Sequence, residues 1–351
     1  MRILIQMSHP AHFHLFKNIY HILQMHGHEV HVVIKKKDIL EDLLKAAGMA
    51  YTNIQPVSHR KNKLGIAYDT LIRVVRMYRY VRIHNIDLLI GCSAEVAQVG
   101  WLACRHRINM GEDDANIIPQ LIRLSKPFVE KYYAPVSCNT GILEYKTIHY
   151  AGYHKLAYLH PDYFTPQKDI AAKYVDLTKS YFLLRFAELK AYHDINRNTH
   201  GISPEIAQRL IEKLLPHGNV YISSERPLEP QLEQYRLNIN PLDIHHVMAF
   251  ATLFVGDSQS MAVEAAMLGI PSVRFNNFAG RIGVLEELEH TYGLTFGIND
   301  SHPEEMYNKV DTLINTDNLT GLFQSKRERM LKDKIDVSKY MVSQIEQMAT
   351  S

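Results

Sequence analysis

The chain has 351 residues, 46% of them hydrophobic and 22% charged. That length exceeds what one core usually organises, so two domains are expected, and the composition is that of a globular protein. The 39 Lys+Arg stand against 37 Asp+Glu, a formal +2, so no global field drives the chain onto nucleic acid.

The opening MRILIQMSHP carries one charge and a short apolar stretch, and reads as a first strand rather than a signal peptide. Residues 3–5 suit a buried parallel strand. After a polar loop at 8–12, Phe13, Phe16, Ile19, Tyr20 and Leu23 fall at helical spacing. Gly27 ends that helix. Residues 29–34 read as a second strand, 39–47 as a second helix stopped by Gly48, and 87–90 as a strand ended by Gly91. This rhythm predicts a doubly wound parallel sheet. It restarts near residue 178, with strands at 181–184, 220–222, 253–255 and 272–275 and helices at 204–215 and 261–268. The prediction is an α/β chain of two Rossmann-like domains facing a central cleft: 1–165, then 178–330. Residues 331–351 form a C-terminal helix that packs back on the first domain. The stretch 153–178, with Pro161 and Pro166, reads as the linker. The tail from His302 reads as helical and polar.

No window approaches 18 uncharged apolar residues. The cysteines Cys92, Cys104 and Cys138 are odd in number and match no zinc or redox spacing, which favours a reducing, cytoplasmic compartment.

In open parallel sheets, ligands sit at the carboxyl ends of strands. The most specific such segment is GDSQSMAVEAAMLGIP at 256–271. Gly256 allows a tight turn, and Ser258 and Ser260 are suitable N-caps. The N–H groups of that helix start suit a phosphate. Glu264, about one turn on, could accept two hydrogen bonds from a ribose diol. A plain strand–cap–helix corner with Glu264 on a solvated face fits the same spacing. Arg185, at the end of strand 181–184, could pair with a diphosphate or with a salt-bridge partner. Ser223, Ser224 and Glu225 follow the next strand. Ile244, in the stretch 240–245, could form a wall for a base, or that stretch could be an N-capped helix start.

In the first half, His9 and His12 follow the first strand. A neutral imidazole there is a suitable general base for a sugar hydroxyl; capping or core histidines are the alternative. HxxH lacks the third ligand and the glutamate of a zinc site, so no metal is expected. The triplet 112–114, with Asp113, could hold a metal, but capping the next helix or contacting an acceptor hydroxyl is the favoured reading. Between Arg60 and Arg82 lie seven basic residues and one acid, Asp69. Arg73, Arg76, Arg79 and Arg82 recur every three residues among apolar ones. Such a helix could lie on an anionic membrane surface, or carry a solvated basic stripe.

Together these motifs resemble a prokaryotic family, domain of unknown function 354. Its relatives include the UDP-N-acetylglucosamine 2-epimerases and the MurG-like glycosyltransferases of the GT-B fold. The resemblance rests on HPAHFHLFKN at 9–18, HGHEV at 26–30, LLRFAELKAYHD at 183–194, ISSERPLEP at 222–230 and GDSQSMAVEAAMLGIPSV at 256–273. It spans nearly the whole chain. It implies a donor nucleotide in the second domain and an acceptor in the first. By match, Glu264 would hold the ribose, and Ser258, Gln259, Ser260 and Met261 would fall on the diphosphate-binding helix start, with Asp257 beside them in the donor site. Arg185 would fall on the loop that meets the phosphates, and His12 near the first-strand loop that holds the catalytic base in several GT-B enzymes. The first-strand loop departs from the family: it reads SHPAHFH where MurG-like enzymes are glycine-rich, and the Asp position reads Gln6-Met7.

Three functions follow. One is glycosyl transfer from a UDP-linked sugar to a glycan or lipid-linked glycan of a surface polysaccharide, with no cofactor beyond the donor itself and with His12, His9 or Asp113 taking the proton. Its partners would be the nucleotide-sugar, the acceptor and, through the arginine stripe, the inner membrane face. The second is epimerisation or hydrolysis of a UDP-N-acetyl sugar; the strand-one loop offers no clear carboxylate set for it. The third is non-catalytic nucleotide-sugar binding.

Overall fold

Short apolar runs bounded by turn residues fold here as buried parallel strands. The structure, a computed structural model, describes residues 1–37, 39–55, 63–187 and 201–349. Arg60 and Lys61 of the basic run, and residues 188–194 of LLRFAELKAYHD, lie outside these. The chain divides into two units.

Unit 1 comprises Met1–Tyr163 and Ile335–Ser351. Its strands are β1 (Arg2–Met7), β2 (Glu29–Ile34), β3 (Thr52–Asn53), β4 (Leu88–Gly91), β5 (His106–Met110), β6 (Lys131–Pro135) and β7 (Thr147–Tyr150), in the order β3-β2-β1-β4-β5-β6-β7. Every pairing is parallel. One face buries Leu4, Val33 and Leu89 against Met77 and Val81 of the helix Lys63–Ile83 and Val96 and Val99 of the helix Ala94–Ala103. Each such side chain contributes about 1.5–3 kcal/mol by leaving water. The helix Val337–Ala349 packs on the helices Pro10–Met25 and Leu156–Leu159. Ile335 N–H donates to the Ala151 carbonyl (2.8 Å), and Ser338 Oγ to the Ala157 carbonyl (2.8 Å).

Unit 2 comprises Phe164–Lys334. Its strands are β8 (Tyr181–Phe186), β9 (Asn219–Ser224), β10 (Leu253–Gly256), β11 (Ser272–Phe275) and β12 (Thr295–Ile298), in the order β12-β11-β10-β8-β9, again all parallel.

Three expectations change. The stretch 153–178, which holds the boundary between the units after Tyr163, is itself folded: Leu156–Leu159 is a short helix with all four residues buried, and Lys168–Ala171 is a second short helix. The tail after His302 buries a good deal of apolar surface, including Met306, Val310, Phe323 and Met330. Arg73 leaves the basic stripe: it is 6% exposed, and its Nε and Nη2 donate to Glu95 at 2.9 and 2.7 Å. Asp69 lies buried on the same helix. Arg76, Arg79 and Arg82 remain exposed, Arg76 donating to the carbonyls of Ile54 and Gln55.

Candidate functional site

Strand order fixes where a ligand can enter each sheet. In unit 2 the chain passes from β8 to β9 on one side, then to β10 on the other, so the switch point lies between β8 and β10. The loops that diverge there leave a crevice at the carboxyl ends. Arg185 and the corner 256–258 occupy those ends.

Register places Ser223, Arg185, Gly256 and Arg274 side by side across β9, β8, β10 and β11. Gly256 is needed here for space rather than for its turn: a Cβ would lie 2.9 Å from Arg185 Cβ and 2.9 Å from Arg185 O. Arg185 Nη1 donates to Ser223 Oγ (2.7 Å), and Nη2 meets the Glu225 carboxylate. Its Nε is buried without a partner among the described residues. A guanidinium held on one edge with a donor to spare can take an oxyanion. Ser224 turns inward on its own loop, accepting from Arg226 N–H and donating to Arg226 O.

Ser258 caps the helix Gln259–Met267, its Oγ accepting from Met261 N–H at 3.4 Å. Met261 is 8% exposed, so its cap bond and packing use most of it. The first N–H groups, Gln259 and Ser260, have no intrahelical acceptor, and Ser260 is exposed. Asp257 has a different role from phosphate contact. It is 2% exposed. Its carboxylate accepts from Ala187 N–H (2.6 Å) and Ile202 N–H (3.4 Å), with Arg226 at 3.6 Å. Burial pushes its carboxyl up to about 6, against those hydrogen bonds and the Arg226 charge. Asn276, after β11, braces the same corner by donating to Asp257 O (3.1 Å).

Glu264 does not lie on a solvated face. It is 8% exposed, and its carboxylate stands 3.4 Å from Nε2 of His245, which is 4% exposed. Phe164 presents its ring edge to His245 at 6.1 Å. Ile244, half-buried, opens the helix Ile244–Met248. Asn240 caps the preceding turn by accepting from Leu242 N–H. His245 was within the stretch read from sequence, but its pairing with Glu264, 19 residues on, left no mark in spacing.

In unit 1 the switch point lies between β1 and β4. Both histidines of the first loop support the helix start. His9 is its N-cap, with Nδ1 accepting from Ala11 N–H (3.2 Å). His12 Nδ1 accepts from Ser8 N–H (3.2 Å). An imidazole that accepts at Nδ1 carries its proton on Nε2, so neither offers a base in this arrangement. Burial holds His12 down to about 3, helped by the charges of His9, His154, Lys37 and Lys155.

Beyond β5 and β7, Glu112 pairs with Lys155 and accepts from His154 N–H at 2.6 Å. Burial alone would raise the Glu112 carboxyl, but the charges of Lys155 and His154 hold it low. Asp113 is exposed. Asp114 is buried and accepts from Asn139 N–H (2.7 Å). His154 and Lys155 were hidden in the stretch read as a linker. Elsewhere in unit 1, His160, Asp162 and Asp336 bring three possible metal-ligand atoms together, with Lys339 Nζ on Asp162 at 2.6 Å.

Two parallel-sheet α/β units, each with polar loops at its switch point, define the GT-B class of fold. Known structures match along almost the whole chain. A UDP-GlcNAc 2-epimerase from Neisseria meningitidis bound to UDP-GlcNAc has TM-score 0.71 and 13% identity, covering 99% of this chain and 100% of that one. The co-structure of S. aureus MnaA with UDP has TM-score 0.68 and 14% identity, covering 99% and 97%. The spinosyn forosaminyltransferase SpnP has TM-score 0.65 and 12% identity, covering 100% of both chains. At these identities the likeness shows the fold. No family model and no curated protein matches the chain.

Proposed function

We propose that the chain is a metal-independent glycosyltransferase using a nucleotide-linked sugar, UDP-linked by analogy with the ligands named for two of the similar structures. The observation that carries this is the corner 256–264: a Ser258-capped helix start at the switch point of unit 2, with Arg185 beside it and the buried Glu264–His245 pair behind it. The helix start and Arg185 would neutralise the leaving diphosphate. Glu264 would accept the ribose hydroxyls. Unit 1 would hold a glycan or lipid-linked glycan acceptor. Since His9 and His12 spend Nδ1 on the loop, Asp113 takes precedence as the base. A thermal-shift screen against a nucleotide-sugar panel tests the reading, because a specific ligand raises the melting point by mass action. No response to any UDP-sugar would overturn it.

One observation favours a second reading, epimerisation or hydrolysis of a UDP-N-acetyl sugar. The strand-one loop lacks carboxylates, but Glu112 with Lys155 and His154 supplies a charged set beyond β5 and β7. Incubation with UDP-GlcNAc alone separates the two. A 2-epimer or free UDP formed without acceptor favours this second reading.

A lipid-linked acceptor of surface polysaccharide synthesis would draw the enzyme to the inner membrane face. The outward side of Lys63–Ile83 supports that contact. It exposes Leu71 (60%), Val75 (40%) and Tyr78 (38%) beside the exposed Arg79 and Arg82. No helix among the described residues is long and apolar enough to cross a membrane.

A further inference from the structure

We infer that Asp257 is a positioning residue of the donor corner: its carboxylate replaces one rung of the β8–β10 ladder and so ties Arg185 to the helix start at Ser258 while the main chain turns out of the sheet. This rests on the nucleotide-sugar reading and adds to it the group that holds its two phosphate-facing parts together.

In a parallel pair, a residue donates its N–H to one carbonyl of the neighbouring strand. Its own carbonyl accepts from the N–H two residues further along that strand. Asp257 makes the first bond in the ordinary way, its N–H donating to Arg185 O at 3.2 Å. The second bond is rerouted. The N–H of Ala187, two residues after Arg185, goes to the Asp257 carboxylate at 2.6 Å. The Asp257 carbonyl accepts from Asn276 Nδ2 at 3.1 Å instead. The side chain thus stands in for its own main chain. Released from the rung, the backbone leaves the sheet at once, and the next residue, Ser258, caps the helix Gln259–Met267.

The same carboxylate reaches further. It accepts from Ile202 N–H at 3.4 Å, with Arg226 Nη2 at 3.6 Å. Arg226 donates to Ile202 O and lies over the Phe186 ring at 5.3 Å. One buried group therefore gathers the end of β8, the approach to the helix Pro204–Leu214 and the loop after β9. Two N–H donors and a guanidinium call for two acceptor oxygens, which a carboxylate has and a carboxamide lacks. At 2% exposure that carboxylate is withdrawn from the crevice. Its bonds go to the loops, and the ligand is left to Arg185 and the helix start. A diphosphate bridging those two parts needs them at a fixed separation.

The test is calorimetry of the full chain with UDP and with uridine, which lacks the phosphates, at about pH 8, where the Asp257 carboxyl is ionised. Asp257→Ala should weaken UDP binding by about tenfold or more and leave uridine within about twofold. Asp257→Asn, which keeps one acceptor oxygen, should recover part of the loss. Arg185→Ala should also lose UDP affinity, and the double variant should lose less than the product of the two separate losses. In the wild-type chain, UDP should slow amide exchange at Ala187 and Ile202 more than uridine does at equal saturation. That measurement serves even where Asp257→Ala fails to fold. Wild-type chain that binds neither compound would end the nucleotide-sugar reading and this inference with it. Wild-type chain that binds UDP, with the UDP-to-uridine ratio unchanged in Asp257→Ala or with the two losses simply multiplying, would overturn the inference alone. So would equal exchange at Ala187 and Ile202 under both compounds.

Discussion

His245 Nε2 lies 3.4 Å from the carboxylate of Glu264, with both side chains buried in unit 2. A glutamate enclosed this way has few rotamers to choose from, so its carboxylate oxygens point in fixed directions. That is what recognition of two adjacent hydroxyls requires.

Glu264→Ala should therefore weaken UDP binding by about 2–3 kcal/mol, the range for a hydrogen bond to a charged group together with the loss of its buried partner. Calorimetry with UDP and 2′-deoxy-UDP checks this. Wild type should prefer the ribonucleotide, and His245→Ala should lose most of the preference while retaining some affinity. Equal UDP affinity in wild type and Glu264→Ala would sink the ribose assignment.

Asp257 sets a pH dependence whose sign is fixed by its burial. Its carboxyl rises from 3.8 to about 6 in the folded chain. The folded state thus keeps a proton that the unfolded state releases between those values. Its contribution is fully present below about pH 3.8, falls as pH rises to about 6, and stays flat above. Asp257→Asn removes this term. The stability of the variant relative to wild type should rise by on the order of 3 kcal/mol across that window. Urea midpoints at closely spaced pH values measure it. A constant offset would show that Asp257 does not titrate there.

Gly111 has no room for a side chain. A Cβ there would sit on the Tyr132 hydroxyl. Tyr132 is 1% exposed and cannot swing out to solvent. Gly111→Ala should destabilise unit 1 by about 1–3 kcal/mol, the usual cost of overpacking. Adding Tyr132→Phe should recover part of it. Denaturant unfolding reads both, and an unchanged midpoint in the single variant would contradict the packing.

The helix Lys63–Ile83 separates two roles for its arginines. Arg73→Ala strips the buried Glu95 of its partner and should cost about 3–5 kcal/mol. Replacing both Leu71 and Val75 with Asp should leave stability nearly unchanged, since both are exposed. It should abolish sedimentation with anionic vesicles if that face meets a membrane. Wild-type chain that stays in the supernatant with such vesicles would end the membrane reading.

Much of the sheet architecture was legible because parallel strands announce themselves as short apolar runs. Residues 29–34 and 272–275 fold as read, and Gly27 and Gly48, at φ +83° and +63°, end their helices. The row formed by Ser223, Arg185 and Gly256 was also within reach, since each ends a recognisable strand. Side-chain destinations were not. Nothing in a three-residue period tells that Arg73 turns inward to Glu95 while Arg79 and Arg82 face out. His9 and His12 looked like bases because an imidazole after a strand suits that work, yet a loop of this shape needs acceptors for its own N–H groups. His154 escaped notice because two prolines nearby made a folded segment look like a connector.

The helix Val337–Ala349 buries Val337, Met341, Val342, Ile345 and Met348 within unit 1, although all of unit 2 precedes it in the chain. All of unit 2 is therefore synthesised before the helix that completes this face of unit 1. Until then the helix Pro10–Met25 lacks one of its covers, and unit 1 offers a nascent apolar surface to chaperones. A chain truncated after Lys334 should thus keep a native second unit beside a protease-sensitive first one.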